Sequence, residues 1–141
     1  MDMANKLPEP KLRPADSEKI TVNLGFVDLG RMDLMVRDGF YGKRSDFIRT
    51  AVRNQLERHD DAVRQSAARR QLTLGLSHYT AQDLEAARDQ GKPLHIQVLG
   101  LASIASDVTP ELARAAIASV QVLGAFQASP AVKAALADRT T

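Results

Sequence analysis

The chain has 141 residues, of which 44% are hydrophobic and 26% charged, a balance typical of one globular domain or two small ones rather than of a disordered or fibrous protein. It contains no cysteine, which excludes disulfides, thiolate metal sites and cysteine nucleophiles. Its net charge of +2 is unevenly spread, because residues 1–70 hold 14 Lys and Arg against 11 Asp and Glu, whereas residues 71–141 hold 5 against 6. The first half is therefore the better candidate for a surface that faces a polyanion.

Residues 1–17 form a separate segment that contains Pro8, Pro10 and Pro14. Because proline suppresses helix and no apolar periodicity is present, we predict a flexible arm here. The segment carries acidic residues and no apolar core, unlike a signal peptide, and no apolar run in the chain approaches the roughly 20 residues of a membrane helix. We therefore expect a cytoplasmic protein that makes no contact with a membrane.

A six-residue alternation of polar and apolar side chains follows, from Lys19 to Leu24. Its period of two predicts a half-buried β-strand. The predicted inner face consists of Ile20, Val22 and Leu24, and the predicted outer face of Lys19, Thr21 and Asn23.

Two short amphipathic helices are predicted after this strand. The first contains apolar positions from Val27 to Phe40 and ends near Gly39, a typical glycine at a helix C-terminus. The second starts with Ser45 as its N-cap and Asp46 in its first turn, where a carboxylate favours the helix dipole. Its predicted buried stripe consists of Phe47, Ile48, Ala51, Val52 and Leu56. One strand and two helices are too small to bury a core alone, so the segment must pair with another chain.

Four stretches of this segment together resemble the ribbon–helix–helix (MetJ/Arc/CopG-type) family of bacterial DNA-binding proteins. They are Ile-Thr-Val-Asn-Leu at 20–24, Met-Asp-Leu-Met-Val at 32–36, Gly-Phe-Tyr at 39–41, and Arg-Ser-Asp-Phe-Ile-Arg-Thr-Ala-Val-Arg at 44–53. The resemblance covers residues 18–58 approximately and predicts a DNA-binding domain at 18–60. It implies an obligate homodimer of one strand and two helices per chain, whose paired antiparallel strands enter the major groove of double-stranded DNA.

The resemblance also assigns roles to individual residues. Base edges would be read by Lys19, Thr21 and Asn23, and the phosphate backbone would be held by Lys43, Arg44, Ser45 and Asp46 at the start of the second helix. The dimer core would contain Ile20, Val22, Leu24, Phe47, Ile48 and Val52. The chemistry agrees, because lysine donates to guanine, asparagine pairs with adenine, and a helix N-terminus binds anions. An ordinary solvent-exposed strand face remains the alternative for the three outward residues.

Charge sets a limit on the affinity of such a dimer. Residues 16–60 contain eight basic and eight acidic side chains. Since few counterions would be released on binding, we expect one dimer to bind DNA weakly at physiological salt.

The sequence changes character after residues 61–71, which we interpret as a helical extension or linker. In residues 72–141, Leu72-Thr73-Leu74-Gly75 recurs as Ile96-Gln97-Val98-Leu99-Gly100 and Val120-Gln121-Val122-Leu123-Gly124, at intervals of 25 and 24 residues. Each copy precedes a helix-start signal, at Thr80, Thr109-Pro110 and Ser129-Pro130 respectively. We therefore predict a mixed α/β protein whose second domain stacks three strand–helix units as a short solenoid, although a chance repeat is the alternative.

The predicted second domain carries few charges. Residues 94–136 contain Asp107, Glu111, Arg114 and Lys133 as the only charged side chains in 43 positions. Such a segment is either a well-buried core or a surface that meets a partner. We favour self-association into a higher oligomer, with a bound effector or toxin as the other possibility.

Known catalytic and metal-binding patterns are absent from the sequence. His59, His78 and His95 are widely spaced and lack cysteine neighbours, so we predict no metal site. No nucleophile elbow or glycine-rich phosphate loop occurs, so we predict neither an enzyme nor a cofactor. The favoured function is a bacterial, nucleoid-associated transcriptional repressor. The alternatives are the antitoxin of a toxin–antitoxin pair and a structural assembly protein that uses its first half only to dimerise.

Overall fold

The structure is a computed structural model that describes residues 16–141, so the arm predicted at residues 1–17 lies almost entirely outside the described residues. The protein is of the mixed α/β class, with α-helices and a three-stranded parallel sheet. The chain divides into two compact units, Met1–Leu56 and Glu57–Thr141, and each is described by itself.

The described part of the first unit consists mainly of helices α1 (Phe26–Arg37) and α2 (Arg44–Arg58), of which α2 continues past the unit boundary. Helix α1 ends where predicted, because Gly39 follows its C-cap with a φ of +85°, a left-handed conformation that favours glycine. Among the described residues of this unit, Met32 is the buried apolar side chain. The described part of the unit therefore has almost no core within one chain.

Helix α2 begins two residues earlier than the sequence predicts, since an N-cap at Ser45 would make Asp46 the first helical residue. The Lys43 carbonyl accepts from the N–H groups of Asp46, at 3.1 Å, and Phe47, at 3.3 Å, so the first helical residue is Arg44. The prediction that Ser45 is the N-cap is therefore wrong, since Ser45 lies inside the first turn. Asp46 lies in the first turn as predicted, where its carboxylate is close to Gly42.

Residues 17–25 have no assigned secondary structure in the single chain, and Lys19 to Leu24 are all exposed. A strand is assigned from the hydrogen bonds that it shares with a neighbouring strand. In a two-chain ribbon that neighbour belongs to the second copy. The strand at 19–24 therefore stays a prediction.

The second unit alternates helices and strands along the chain. After α3 (Asp60–Arg69), which covers most of the segment 61–71, come β1 (Thr73–Tyr79), α4 (Ala81–Asp89), β2 (Leu94–Ile104), α5 (Pro110–Ala116), β3 (Ile117–Gln127) and α6 (Pro130–Ala135). A short 3-10 helix, Ala137–Arg139, follows. The strands are parallel and lie in the order β1-β2-β3.

The three predicted helix starts are confirmed. The hydroxyl of Thr80 accepts from the Asp83 N–H at 3.1 Å while the Thr80 N–H donates to the Asp83 carboxylate at 2.9 Å, a complete capping box. Thr109 and Ser129 cap α5 and α6 with their hydroxyls, which accept from the N–H groups of Leu112, at 3.1 Å, and Val132, at 3.2 Å, without the reciprocal bond of a capping box. Each is followed by proline at the first helical position, where its missing N–H costs nothing.

The sheet register aligns the sequence repeat. Gly75 pairs with Gly100, and Gly100 pairs with Gly124, so the three repeat glycines form a row across the sheet. Their φ angles are +122°, +140° and +119°. A Cβ on Gly100 would lie 2.2 Å from the Gly75 carbonyl oxygen, and one on Gly124 would lie 2.0 Å from that of Gly100. Glycine is therefore required by both conformation and space at the second and third positions.

The core of this unit lies between one face of the sheet and the helices. Strand β2 contributes Ile96, Val98, Ala102 and Ile104, and the helices contribute Leu84, Ala113 and Val132, all of them buried. Because side chains alternate along a strand, the odd-numbered residues of β2 from His95 to Ser103 face the opposite side.

Candidate nucleic-acid interface

The three residues predicted to read bases lie directly before α1. Lys19, Thr21 and Asn23 are all exposed. Gly25, the N-cap of α1, has φ −65° and ψ 154°, so the chain enters this helix from an extended conformation. The side chains are accessible, and their donor and acceptor groups suit the base edges of a major groove.

The residues predicted to form the dimer core are mostly uncovered in one chain. Five of the six predicted positions keep large exposed fractions: Ile20 77%, Val22 66%, Leu24 41%, Ile48 41% and Val52 52%. The sixth, Phe47, is partly covered and packs edge-to-face on Tyr41 with ring centroids 5.0 Å apart. Burying one such aliphatic side chain contributes about 1.5–3 kcal/mol. A second copy covering this surface would therefore stabilise the unit substantially.

An ion pair that the sequence did not predict joins the two helices of this unit. The Arg44 guanidinium donates from Nε and Nη2 to the two carboxylate oxygens of Asp33, at 2.7 and 2.8 Å. These hydrogen bonds, with the positive charge of Arg44, hold the pKa of the Asp33 carboxyl below its ordinary value. The predicted phosphate ligand Arg44 thus has its side chain engaged within the chain.

The other predicted phosphate ligands differ in what they offer. Lys43 is exposed and carries a positive charge. The first N–H groups of a helix, here those of Arg44 and Ser45, have no acceptor within the helix. Asp46 instead donates its N–H to the Lys43 carbonyl, and its carboxylate lies 3.9 Å from the Arg49 guanidinium. An anion at this helix start would meet Lys43 and two peptide N–H groups.

Two histidines of the second unit, His78 and His95, have partners on neighbouring strands. His78 Nδ1 lies 2.7 Å from Ser103 Oγ, and His95 Nδ1 lies 2.8 Å from Ser119 Oγ. Within residues 16–141, no three His, Cys, Asp or Glu side chains are grouped closely enough to hold a metal ion. In the same part of the chain, no helix has the length and apolar character needed to cross a bilayer.

Comparison with known proteins places the chain in a family. A sequence model of the Ribbon-Helix-Helix transcriptional regulator family matches residues 15–133. This range extends well beyond residues 18–58, which the sequence resemblance covers, and includes most of the second unit. Searches of curated proteins and of solved structures found no match. Regulators of this family bind DNA, are typically dimeric and are typically not enzymes.

Proposed function

The chain belongs to the ribbon–helix–helix transcriptional regulator family, and we propose that it is a sequence-specific DNA-binding repressor acting through a dimeric β-ribbon. The observation that carries this proposal is the uncovered segment from Lys19 to Leu24, whose polar and apolar side chains alternate and are all exposed in one chain. A ribbon formed by two such segments has one apolar and one polar face. Its polar face has the width and chemistry to enter a major groove.

The two faces of this ribbon have different roles in the proposal. Ile20, Val22 and Leu24 pack against the apolar side of α2, where Ile48 and Val52 are exposed in one chain. The polar face of the ribbon then contacts the base edges. Lys19 donates to guanine, Asn23 forms a bidentate pair with adenine, and Thr21 contacts a neighbouring base.

Phosphate contacts fix the ribbon in the groove. We assign them to Lys43 and to the N–H groups of Arg44 and Ser45 at the start of α2, since peptide N–H groups and the helix dipole bind an anion together. The Arg44 side chain has a different role, because its ion pair with Asp33 sets the position of this helix start relative to α1.

The remaining residues would compensate for weak binding. Eight basic side chains balance eight acidic ones over residues 16–60, so one dimer releases few counterions. In the proposal, residues 18–60 bind DNA, 61–71 connect, and 72–141 form a short solenoid through which chains associate further. Joined dimers raise one another's effective concentration on adjacent half-sites, which makes binding cooperative.

The DNA-binding role is tested by titrating full-length protein into labelled random duplexes at several salt concentrations. We expect Lys19→Ala to weaken binding about tenfold, on the order of 1–2 kcal/mol. The matched control is Lys92→Ala, which removes the same charge from the second unit and should bind like the parent. Equal affinities of both variants, or no binding by the parent at low salt, would overturn the proposal.

A further inference from the structure

One face of the sheet in the second unit is apolar and largely uncovered. The register places Leu74 beside Leu99 and Leu123 in one row, and Leu76 beside Leu101 and Ala125 in the next. We call these six residues the leucine face. Within the described chain, Leu74, Leu76 and Leu123 remain 52%, 76% and 51% exposed.

Such exposure is unusual for this type of sheet. Parallel sheets are normally covered on both faces, because isolated parallel pairing is less stable and the strands are apolar on both sides. Here the helices contribute to the core on the other face, through residues such as Leu84 and Val132. The leucine face therefore requires a second layer that the described chain does not supply.

We propose that this second layer is the leucine face of another copy of the same chain. The inference rests on the proposed self-association of the second unit and names the surface responsible. Its chemistry favours a copy of itself over a charged partner, because none of the strand positions on this side of the sheet is Lys, Arg, Asp or Glu. Two apolar faces of equal width fit each other as the inner faces of a sandwich do.

Polar groups border the leucine face at both ends. His78 with Ser103 lies beyond one end, and Gln97 with Gln121, followed by His95 with Ser119, lies beyond the other. The two histidine–serine pairs are joined across neighbouring strands, at 2.7 and 2.8 Å. The polar groups of these pairs are hydrogen-bonded to each other within the chain, so they need no hydrogen-bond partner from an incoming surface. An apolar centre with a polar rim is the usual anatomy of a protein–protein interface. Because the rim is polar at both ends, a second copy rotated by 180° about a two-fold axis also places its polar rim against the polar rim of the first.

The leucine face is small for a stable protein–protein interface. The side of the sheet from His95 to Ser103 is nine residues long, three strands wide from Val98 onward and two strands wide before it, which at ordinary strand spacings is about 380 Å² per copy and about 760 Å² for the pair. Specific interfaces usually bury more than about 1,200 Å² in total. Contact through this face alone is therefore weak. The dimer typical of the family holds chains close together and so raises the effective concentration of one leucine face near another.

Cysteine cross-linking tests the surface directly, because the chain has no native cysteine. Leu99 lies at the centre of the face, so a two-fold axis through that centre brings it close to its own copy however the strands cross. We expect full-length Leu99→Cys to form covalent dimers with a short bismaleimide at least tenfold faster than Ala86→Cys, at an exposed position of α4. Adding Leu76→Glu to the Leu99→Cys chain should abolish the difference, whereas adding Gln90→Glu should not. Circular dichroism of each variant verifies that the chain is folded.

The outcomes separate this inference from the proposed function. Equal cross-linking rates for Leu99→Cys and Ala86→Cys would overturn the leucine-face assignment, and a solution mass above the dimer would then show that chains associate through another surface. Fast cross-linking at Leu99 together with the mass of a plain dimer would support the face, placed between two chains of one dimer, and would contradict the assembly of dimers. DNA binding is measured independently of both.

Discussion

Arg44 and Asp33 form a bidentate ion pair between the first residue of α2 and the middle of α1, with N–O distances of 2.7 and 2.8 Å. Both side chains are about half exposed, at 52% and 50%. An exposed pair of this kind adds little to stability. Its consequence is positional, because it fixes the helix start that we assign to phosphate binding and withholds the Arg44 guanidinium from the DNA.

Removing the acidic partner should release that guanidinium. We expect Asp33→Asn to strengthen DNA binding and to steepen its salt dependence by about one to two units of log K per log salt for each dimer, since one new phosphate contact forms per chain. The measurement is the dissociation constant on one duplex at several salt concentrations. Asp28→Asn, in the first turn of the same helix, is the control for lost negative charge. Identical salt slopes for the two variants would contradict the claim that the pair withholds the Arg44 guanidinium from the DNA.

The exposed apolar stripe of α2 predicts a dissociating substitution. Val52 is 52% exposed in one chain, and an aspartate there would be buried without a partner in the dimer, at a cost of several kcal/mol. We expect Val52→Asp to sediment as a monomer and to lose helix from residues 26–56. Asn54→Asp adds the same charge to an exposed position of the same helix and should sediment like the parent. A dimeric, fully helical Val52→Asp would show that this stripe lies outside the interface.

The row of glycines predicts two unequal losses of stability. An alanine at Gly75 would have to adopt a positive φ, although its Cβ would contact no neighbouring atom. Gly75→Ala should therefore lower the free energy of unfolding by about 1–3 kcal/mol through backbone strain alone. Alanine at Gly100 meets the same strain and the Gly75 carbonyl oxygen 2.2 Å away, so the strands must also separate. Thermal unfolding should show the larger decrease in Tm for Gly100→Ala. Equal decreases would mean that the close approach of β1 and β2 is absent in solution.

The capping box of α4 predicts a pH dependence. Hydrogen bonds from the backbone and side chain of Thr80 lower the pKa of Asp83 below its ordinary value. A carboxyl whose pKa is lower in the folded than in the unfolded state stabilises the protein above its unfolded pKa, and this contribution is lost as the pH falls through the folded value, here below about pH 4. Urea unfolding at pH 7 and pH 3 should therefore differ less in Asp83→Asn than in the parent. Asp107→Asn, at an exposed position before α5, should retain the parent's difference.

Sequence reasoning succeeded where local chemistry decides the structure. The caps at Thr80, Thr109 and Ser129 are set by short-range hydrogen bonds, and each of the three repeats, which end in Gly75, Gly100 and Gly124, overlaps a strand of the sheet. The strands extend past these glycines, which the repeat alone did not indicate. In the first half, the family resemblance was correct, although the match covers much more of the chain.

The remaining features depend on tertiary structure. The Arg44–Asp33 pair joins residues eleven positions apart on different helices, and no local spacing rule pairs them. Ser45 is a residue type that commonly caps helices, but the helical hydrogen bonds of α2 already begin at the Lys43 carbonyl. The leucine face appears only when the strand register is known, because its members come from three separate strands.

Base reading by the strand at 19–24 is the central claim of this account, and selection of bound duplexes from a random pool tests it most directly. The comparison is between the parent and Asn23→Ala, with Asn54→Ala on exposed α2 as the control. We predict that the parent and Asn54→Ala select the same sequence, whereas Asn23→Ala loses its preference for adenine at one position of each half-site, worth about 1–3 kcal/mol. An unchanged preference at every position in Asn23→Ala would contradict the claim that this strand reads the DNA.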